Sequence, residues 1–313
     1  MSEAGEFRRV AILGVGLIGA SFGAALAKAR PGISIVAYDR PEVLRKLRES
    51  KFDWETSEDL GHAVRDTDLI YVALPVGAVI EMLPEIASQC DSRALVTDAG
   101  STKTRICKAA QKAFGDRGKF LGGHPIAGRE LGGLESADAE LFHGKRYALI
   151  NDGWGKEGKT DSRVQQFVEL LRATGAEPIW SDAETHDWAM AVVSQMPQLV
   201  AIAVARVVSD ETDETGLPLS LAGSGLRDLL RTTGSPYEVW RDICMTNTEN
   251  IAHSLDRAAQ AIDFLRAHLT NRELEKEFAG ANEVYKMLRE MDLALDGDAR
   301  RAGEPIPRAG ADG

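Results

Sequence analysis

The sequence predicts an α/β chain in which a doubly wound, mostly parallel sheet is followed by an all-helical domain. Three observations predict it. From Arg9 to about Ser181, short β-branched or apolar runs alternate with amphipathic stretches, the pattern of right-handed βαβ units. A glycine-rich turn directly follows the first run. After Ser181 the strand signals stop and apolar residues recur at helical spacing.

Seven runs read as strands in chain order: RVAILG, ISIVAYD, LIYVAL, ALVTDAG, KFLGGH, RYALIN and EPIWS. The segments between most of them carry helical periodicity, so the strands line up in parallel with helices on both faces. In the second half, Gly and Pro cluster in TGLPLSLAGSG and TTGSP, with helical stretches on either side. At about 100–200 residues per domain, a chain of 313 residues with 44% hydrophobic content holds two domains. The expected boundaries are 1–182 for the sheet domain and 183–296 for the helical domain, with 297–313 a Gly-, Pro- and charge-rich tail expected to be disordered. From Trp188 to Val208 only Ser194, Gln195, Gln198 and Arg206 interrupt the apolar residues. A helix apolar on nearly every face should be buried, and a domain this small covers it best at an interface with a second copy.

Composition narrows the function classes. The formal charge of −11 argues against a general nucleic-acid binder, which needs clustered cations for phosphates. No uninterrupted apolar run of 18 residues occurs, so no membrane-crossing helix is expected. The start MSEAGEFRRVAILG lacks the features of a secretory signal, which makes cytoplasm the expected compartment. Cys90, Cys107 and Cys244 are few and widely spaced, consistent with reduced thiols. The six histidines show no metal-ligand spacing, and no metal is expected.

Gly14, Gly16 and Gly19 form G-x-G-x-x-G between the first strand and a helix, with Asp39 at the end of the second strand. Gly14 permits the tight turn, Gly16 lets backbone approach a pyrophosphate, Gly19 lets helix and strand pack closely, and the helix start supplies N–H donors. Leu17 and Ile18 inside the motif, and Leu74 and Pro75 at the end of the third run, complete the expected dinucleotide contacts. Asp39 would bond the adenosine ribose hydroxyls and repel a 2′-phosphate, which favours NAD, while Arg40 beside it keeps NADP open.

Ser101 in TDAGSTK follows a strand, so it faces the crevice beyond the strand ends or caps the next helix. His124 in GGHPIAGRE also sits at a strand end, between bare glycine backbone and a proline. A mostly neutral imidazole there can accept the proton that an alcohol gives up on oxidation. His186 reads as a structural residue at the start of the apolar helix. Arg227 and Arg231, four residues apart, suit a substrate with carboxylates, or else counter the acidic surface.

Together, GVGLIG, DAGSTK, GGHPIAGRE…LFHGKRYAL, HDWAMAVVSQMPQLVA and GLRDLLRTTGSPYEVWRDI resemble the prephenate dehydrogenase family, which includes arogenate and cyclohexadienyl dehydrogenases. The likeness runs in order from about Val10 to about Leu295. It implies a Rossmann-like domain, a helical dimerisation domain giving a homodimer, and NAD(P)-dependent oxidative decarboxylation of prephenate to 4-hydroxyphenylpyruvate in tyrosine biosynthesis. By position it implies that His124 accepts a hydrogen bond from the substrate's ring hydroxyl and Ser101 orients it. It further implies that Arg231 holds a carboxylate, that Arg227 is the basic residue before it, that Glu130 is an acid at the entrance, and that Trp240 packs near the site. Where prephenate-specific members often carry SHLPH this chain has SQMPQ, placing Gln195 and Gln198 against substrate in place of two histidines. Loss of potential cations there predicts better tolerance of arogenate's ammonium. Arg129 replaces a small hydroxyl residue and has no role assigned by the pattern. A β-hydroxyacid dehydrogenase or a non-catalytic NAD-sensing dimer would share the overall plan.

Overall fold

The computed structural model describes residues 7–115, 119–129, 132–152, 159–212 and 214–303, with side chains to residue 291. Its first half contains β1 (Arg9–Leu13), α1 (Leu17–Ala29), β2 (Ser34–Tyr38), α2 (Pro41–Arg48), β3 (Glu55–Ser57), α3 (Leu60–Val64), β4 (Leu69–Val72), α4 (Val76–Gln89), β5 (Leu95–Asp98), α5 (Thr104–Phe114), β6 (Phe120–Pro125), β7 (Arg146–Ile150), α6 (Ser162–Ala173) and β8 (Glu177–Ser181). These strands form one sheet of order β3-β2-β1-β4-β5-β6-β7-β8. The seven expected runs all become strands. The short edge strand β3, reading ETS, carries too little apolar pattern to be seen in the sequence.

Strand order reverses between β1 and β4, so the carboxyl ends of these neighbours open the crevice where ligands of such sheets bind. β1, β4, β5 and β6 are buried along almost their whole length because helices cover both faces, and β4 reads as an unbroken run, LIYV, without polar alternation. Among the described residues the one antiparallel pairing is β6 with β7, where His124 lies opposite Ala148. An antiparallel return lets the intervening chain fold over the strand ends instead of crossing the sheet, and its residues Ile126–Arg129 form part of the crevice wall.

The second half is helical: α7 (Ala183–Met190), α8 (Met196–Asp210), α9 (Leu217–Ser220), α10 (Ser224–Leu230), α11 (Tyr237–Thr246), α12 (Thr248–Ala267) and α13 (Glu273–Gly303). The last of these runs seven residues into the stretch expected to be a disordered tail; residues 304–313 lie outside the described residues. α7 and α8 are joined by a π-helical turn, Ala191–Gln195, in which the Met196 N–H bonds the Ala191 carbonyl five residues back. Pro197 supplies the cause, since it has no N–H to continue the α-helical ladder. One wider turn re-aims the side chains without breaking the helix.

The apolar helix pair departs from the burial expected of it. Trp188, Val193, Ile202 and Val207 are exposed in the single chain, while the polar His186, Asp187, Gln195 and Gln198 are buried. By length and composition Ala183–Asp210 could cross a membrane, which a search for uninterrupted runs does not detect. His186 and Asp187 turn in toward the sheet domain, Gln195 and Gln198 turn in among the other helices, and several apolar residues turn out, leaving a face that suits another protein surface.

Two carboxylates of the helical domain fasten it to the sheet. Asp242 on α11 accepts the Gly77 N–H at the start of α4 (2.9 Å). Asp187 on α7 accepts the Lys103 and Thr104 N–H groups at the start of α5, at 2.7 and 2.8 Å. Helix starts have unpaired N–H groups and a positive dipole end, so carboxylates are their natural caps.

Candidate active site

A cleft of about 530 Å³ lies between the domains. Leu17 and Ile18 from α1, Ser101, His124, Ile126–Arg129, Met190, Ser194 and Gln195, and Ser235, Pro236 and Trp240 beside α11 contribute to its walls. The start of α1, directly after the glycine turn, and the strand-end histidine therefore line one space.

The turn is built as its spacing requires. Gly14 has φ of +96°, and a Cβ there would strike the Ala73 carbonyl oxygen on the neighbouring strand connection. A Cβ on Gly19 would run into the Gly14 carbonyl oxygen, whereas one on Gly16 would meet nothing within 4 Å. Gly16 thus borders open space at the start of α1, where no side chain caps the helix. The Asp39 carboxylate accepts the Val15 N–H (2.6 Å) and the Arg40 N–H (2.7 Å), which locks it beside the turn with lone pairs to spare. Arg40 is exposed, lies 3.9 Å from the Asp39 carboxylate and pairs with Glu42 at 3.3 Å. Leu74 and Pro75 follow β4 across the crevice, with Pro75 opening α4. An uncapped helix start, a bare glycine and an anchored acid fit a dinucleotide.

His124 is 8% exposed, and its tautomer follows from a chain of partners. Asp187 accepts at one end. Burial alone would raise the Asp187 carboxyl, but bonds from His186 and from the Thr104 and Lys103 N–H groups outweigh it and hold it below its ordinary value. His186 Nδ1 lies 2.9 Å from Asp187 Oδ1 and must donate to it, leaving Nε2 as an acceptor. With His186 neutral, His124 Nδ1, 3.0 Å from His186 Nε2, carries the proton and the lone pair of His124 Nε2 is left free. Burial first, then the neighbouring His186 and Lys103, lowers the imidazole pKa well below 6.5. His124 is therefore neutral at pH 7 and ready to take a proton.

A second buried set supports the strand beneath it. The Asp98 carboxylate accepts the Gly100 N–H (2.8 Å) and the Gly123 N–H (3.0 Å) and pairs with the Lys103 ammonium. Lys103 also donates to the Gly123 carbonyl at 2.6 Å. Both side chains are fully buried. The ion pair thus grips the backbone immediately before His124 and fixes the height of the imidazole.

The sequence-expected residues divide into two groups. Ser101, His124 and Gln195 line the cleft. Ser101 does not cap α5; the cap is Asp187, distant in sequence. Among the described lining residues, Gln198 and the two arginines are absent. Gln198 is buried and donates to the Thr232 carbonyl at 3.0 Å, so it ties α8 to the turn after α10. Arg227 lies within α10, which ends at Leu230, and Arg231 begins the following 3-10 turn; both are exposed, and the helix expected to present them on one face stops between them. Glu130 lies outside the described residues. Arg129 lines the cleft and pairs with Asp138, closing the loop that follows β6. Sequence reasoning missed the roles of His186 and Asp187 because only the docking of α7 on α5 brings them to His124.

A dinucleotide-binding sheet sharing one cleft with a neutral, relay-held imidazole and a helical domain that follows it in the chain defines a nucleotide-dependent dehydrogenase. The prephenate dehydrogenase nucleotide-binding domain matches residues 22–179 and the prephenate dehydrogenase dimerization domain matches residues 182–283, and the chain belongs to the prephenate dehydrogenase family. It is 30% identical over 290 residues to a prephenate dehydrogenase from Lactococcus lactis subsp. cremoris, covering 89% of this chain and 78% of the relative. A prephenate dehydrogenase from Bacillus subtilis is 30% identical over 273 residues, covering 86% of this chain and 72% of that one. The crystal structure of prephenate dehydrogenase from A. aeolicus in complex with hydroxyphenyl propionate and NAD+ superposes with a TM-score of 0.79 at 25% identity, covering 92% of this chain and 99% of that one.

Proposed function

We propose that this chain carries out the NAD-dependent oxidative decarboxylation of prephenate to 4-hydroxyphenylpyruvate, in the cytoplasm, as a step of tyrosine biosynthesis. The observation that carries the reading is the shared cleft: Leu17 and Ile18, which follow the open glycine turn at Gly16, and a neutral imidazole at His124 line the same space. NAD, when bound, supplies the two-electron acceptor for the ring carbon that bears the hydroxyl. His124 Nε2 takes the hydroxyl proton as that carbon is oxidised, with Ser101 on the same wall orienting the hydroxyl. The ring carboxylate leaves as carbon dioxide, its bonding pair moves into the ring, and the resulting phenolate oxygen takes the proton back from His124. No net proton is consumed. The positive charge that His124 carries in between is shared through His186 with the Asp187 carboxylate.

Asp39 is the ligand for the adenosine ribose. Glu42, paired with Arg40, adds negative charge where a 2′-phosphate would sit, which supports NAD over NADP. Arg231 and Arg227 enter through the resemblance as carboxylate ligands; Ser235 and Pro236, just beyond them in the chain, do border the cleft. The exposed apolar face of α7 and α8 supports a homodimer through the helical domain, and neither nucleic acid nor membrane is part of the reading. An assay of prephenate and arogenate, each with NAD and NADP, tests it: carbon dioxide and reduced NAD form from prephenate, and absence of turnover with either substrate overturns it.

Two outcomes follow from the cleft. Gly16→Ala leaves the melting temperature nearly unchanged, because the added methyl meets no protein atom, yet raises KM for NAD by about tenfold or more, some 1.4 kcal/mol; an unchanged KM would place the pyrophosphate elsewhere. The pH profile of kcat/KM reports the free enzyme's base. Since the His124 pKa is depressed, activity stays on its plateau as pH falls through 6.5 and declines only below it. Stability has the same sign: above about 6.5 both folded and unfolded states hold a neutral imidazole, and below it the unfolded chain binds the proton first, so stability falls toward the folded pKa. An acid limb at or above 6.5 would contradict a buried base.

A further inference from the structure

Gln195 has one buried half that is satisfied and one that is not. The residue is 1% exposed and lines the cleft from the π-helical turn. Its Oε1 accepts a hydrogen bond from Asn247 Nδ2 at 2.7 Å. The Asn247 amide cannot be turned round, because the same Nδ2 donates to the Asp187 backbone carbonyl (2.7 Å) and its Oδ1 accepts from Asn250 (2.8 Å). Turning Gln195 round instead would set its N–H2 against the Asn247 N–H2, donor against donor. So Gln195 presents only N–H donors on its other side, and its Nε2 has no partner among the described residues. A buried donor left unmade costs about 1–3 kcal/mol, which a ligand acceptor removes.

A second observation concerns charge. Among the described residues lining the cleft there is no carboxylate, and the cation there, Arg129, is held by Asp138 outside the lining set. An ammonium entering this space loses water without meeting a carboxylate among the described lining residues, whereas keto and carboxylate oxygens meet the Gln195 donor. Resting on the function proposed above, we propose that Gln195 is a specificity-determining residue: its N–H2 binds an oxygen of a keto-acid side chain and disfavours the otherwise identical amino acid. This points the other way from the tolerance of arogenate expected from loss of the two histidines. Replacing an imidazole removes a potential charge, but the Asn247 bond also removes the acceptor that an ammonium needs.

The test compares kcat/KM for prephenate and arogenate in the wild type and in Gln195→Glu, where an acceptor replaces the donor. The wild type favours prephenate by about tenfold or more, and Gln195→Glu moves the ratio toward arogenate by at least about tenfold, mainly through KM for prephenate. A wild-type preference for arogenate, or a ratio moved less than about twofold, overturns the inference. Calorimetric titration of the NAD-loaded protein with 4-hydroxyphenylpyruvate and with tyrosine reads the same selectivity without turnover, and Gln195→Met, which keeps the length and removes the donor, loses the keto-acid advantage if the inference holds. If neither substrate turns over, the proposed function fails, and these titrations still decide the role of Gln195: equal affinity for the two ligands in the wild type rejects it.

Discussion

His124→Asn lowers kcat by about two to four orders of magnitude while KM for prephenate changes by less than about threefold. The asparagine amide can still donate to His186 Nε2, as His124 Nδ1 does at 3.0 Å, so the relay and the wall of the cleft keep their shape. What disappears is the free lone pair that takes the hydroxyl proton. Because the imidazole is neutral before reaction, the variant removes no charge from the ground state, and substrate binding has no electrostatic reason to change. Steady-state kinetics with a melting curve on the same sample check this. Near-normal turnover in a folded variant would remove His124 from the role of base.

Lys103→Met destabilises the fold by about 3–5 kcal/mol, since the Asp98 carboxylate is then buried with two N–H donors and no cation. For a domain of this size that is a fall of roughly 6–20 °C in melting temperature. The methionine occupies much the same volume, so lost packing contributes little to the change. Lys103→Met combined with Asp98→Asn recovers part of the loss, because the second change removes the unpaired charge, and the non-additivity of the two is the measure of the pair. A melting temperature unchanged in Lys103→Met would mean that the pair does not hold the strand end beneath His124.

Periodicity and the glycine spacing were enough to order the strands and to place Gly14, Gly16, Gly19 and Asp39, because a turn, a close approach and a helix start are local requirements met within a few residues. The position of His124 was legible for the same reason: a strand end in an open parallel sheet faces the crevice. Less was legible wherever a side chain's partner lies far along the chain. Ser101 read equally well as a helix cap, and only the docking of α7 showed that Asp187 takes that place from 84 residues away. His186 read as structural because nothing near it in sequence asks for a histidine. Gln195 and Gln198 looked alike, and the fold separates them: one faces the cleft with a free donor, the other is used up on the Thr232 carbonyl.

By itself the sequence determined a dinucleotide sheet, a helical second domain and an imidazole at a strand end, since each depends on short-range steric and hydrogen-bonding rules written into a few neighbouring residues. The tertiary structure alone decided which nitrogen of His124 carries the free lone pair and which atom of Gln195 is left without a partner. The first is settled by a hydrogen-bond chain that crosses from one domain to the other, the second by a chain joining helices of the second domain that are far apart in sequence; in each a donor forces its neighbour to accept and the constraint passes on to the residue at the cleft.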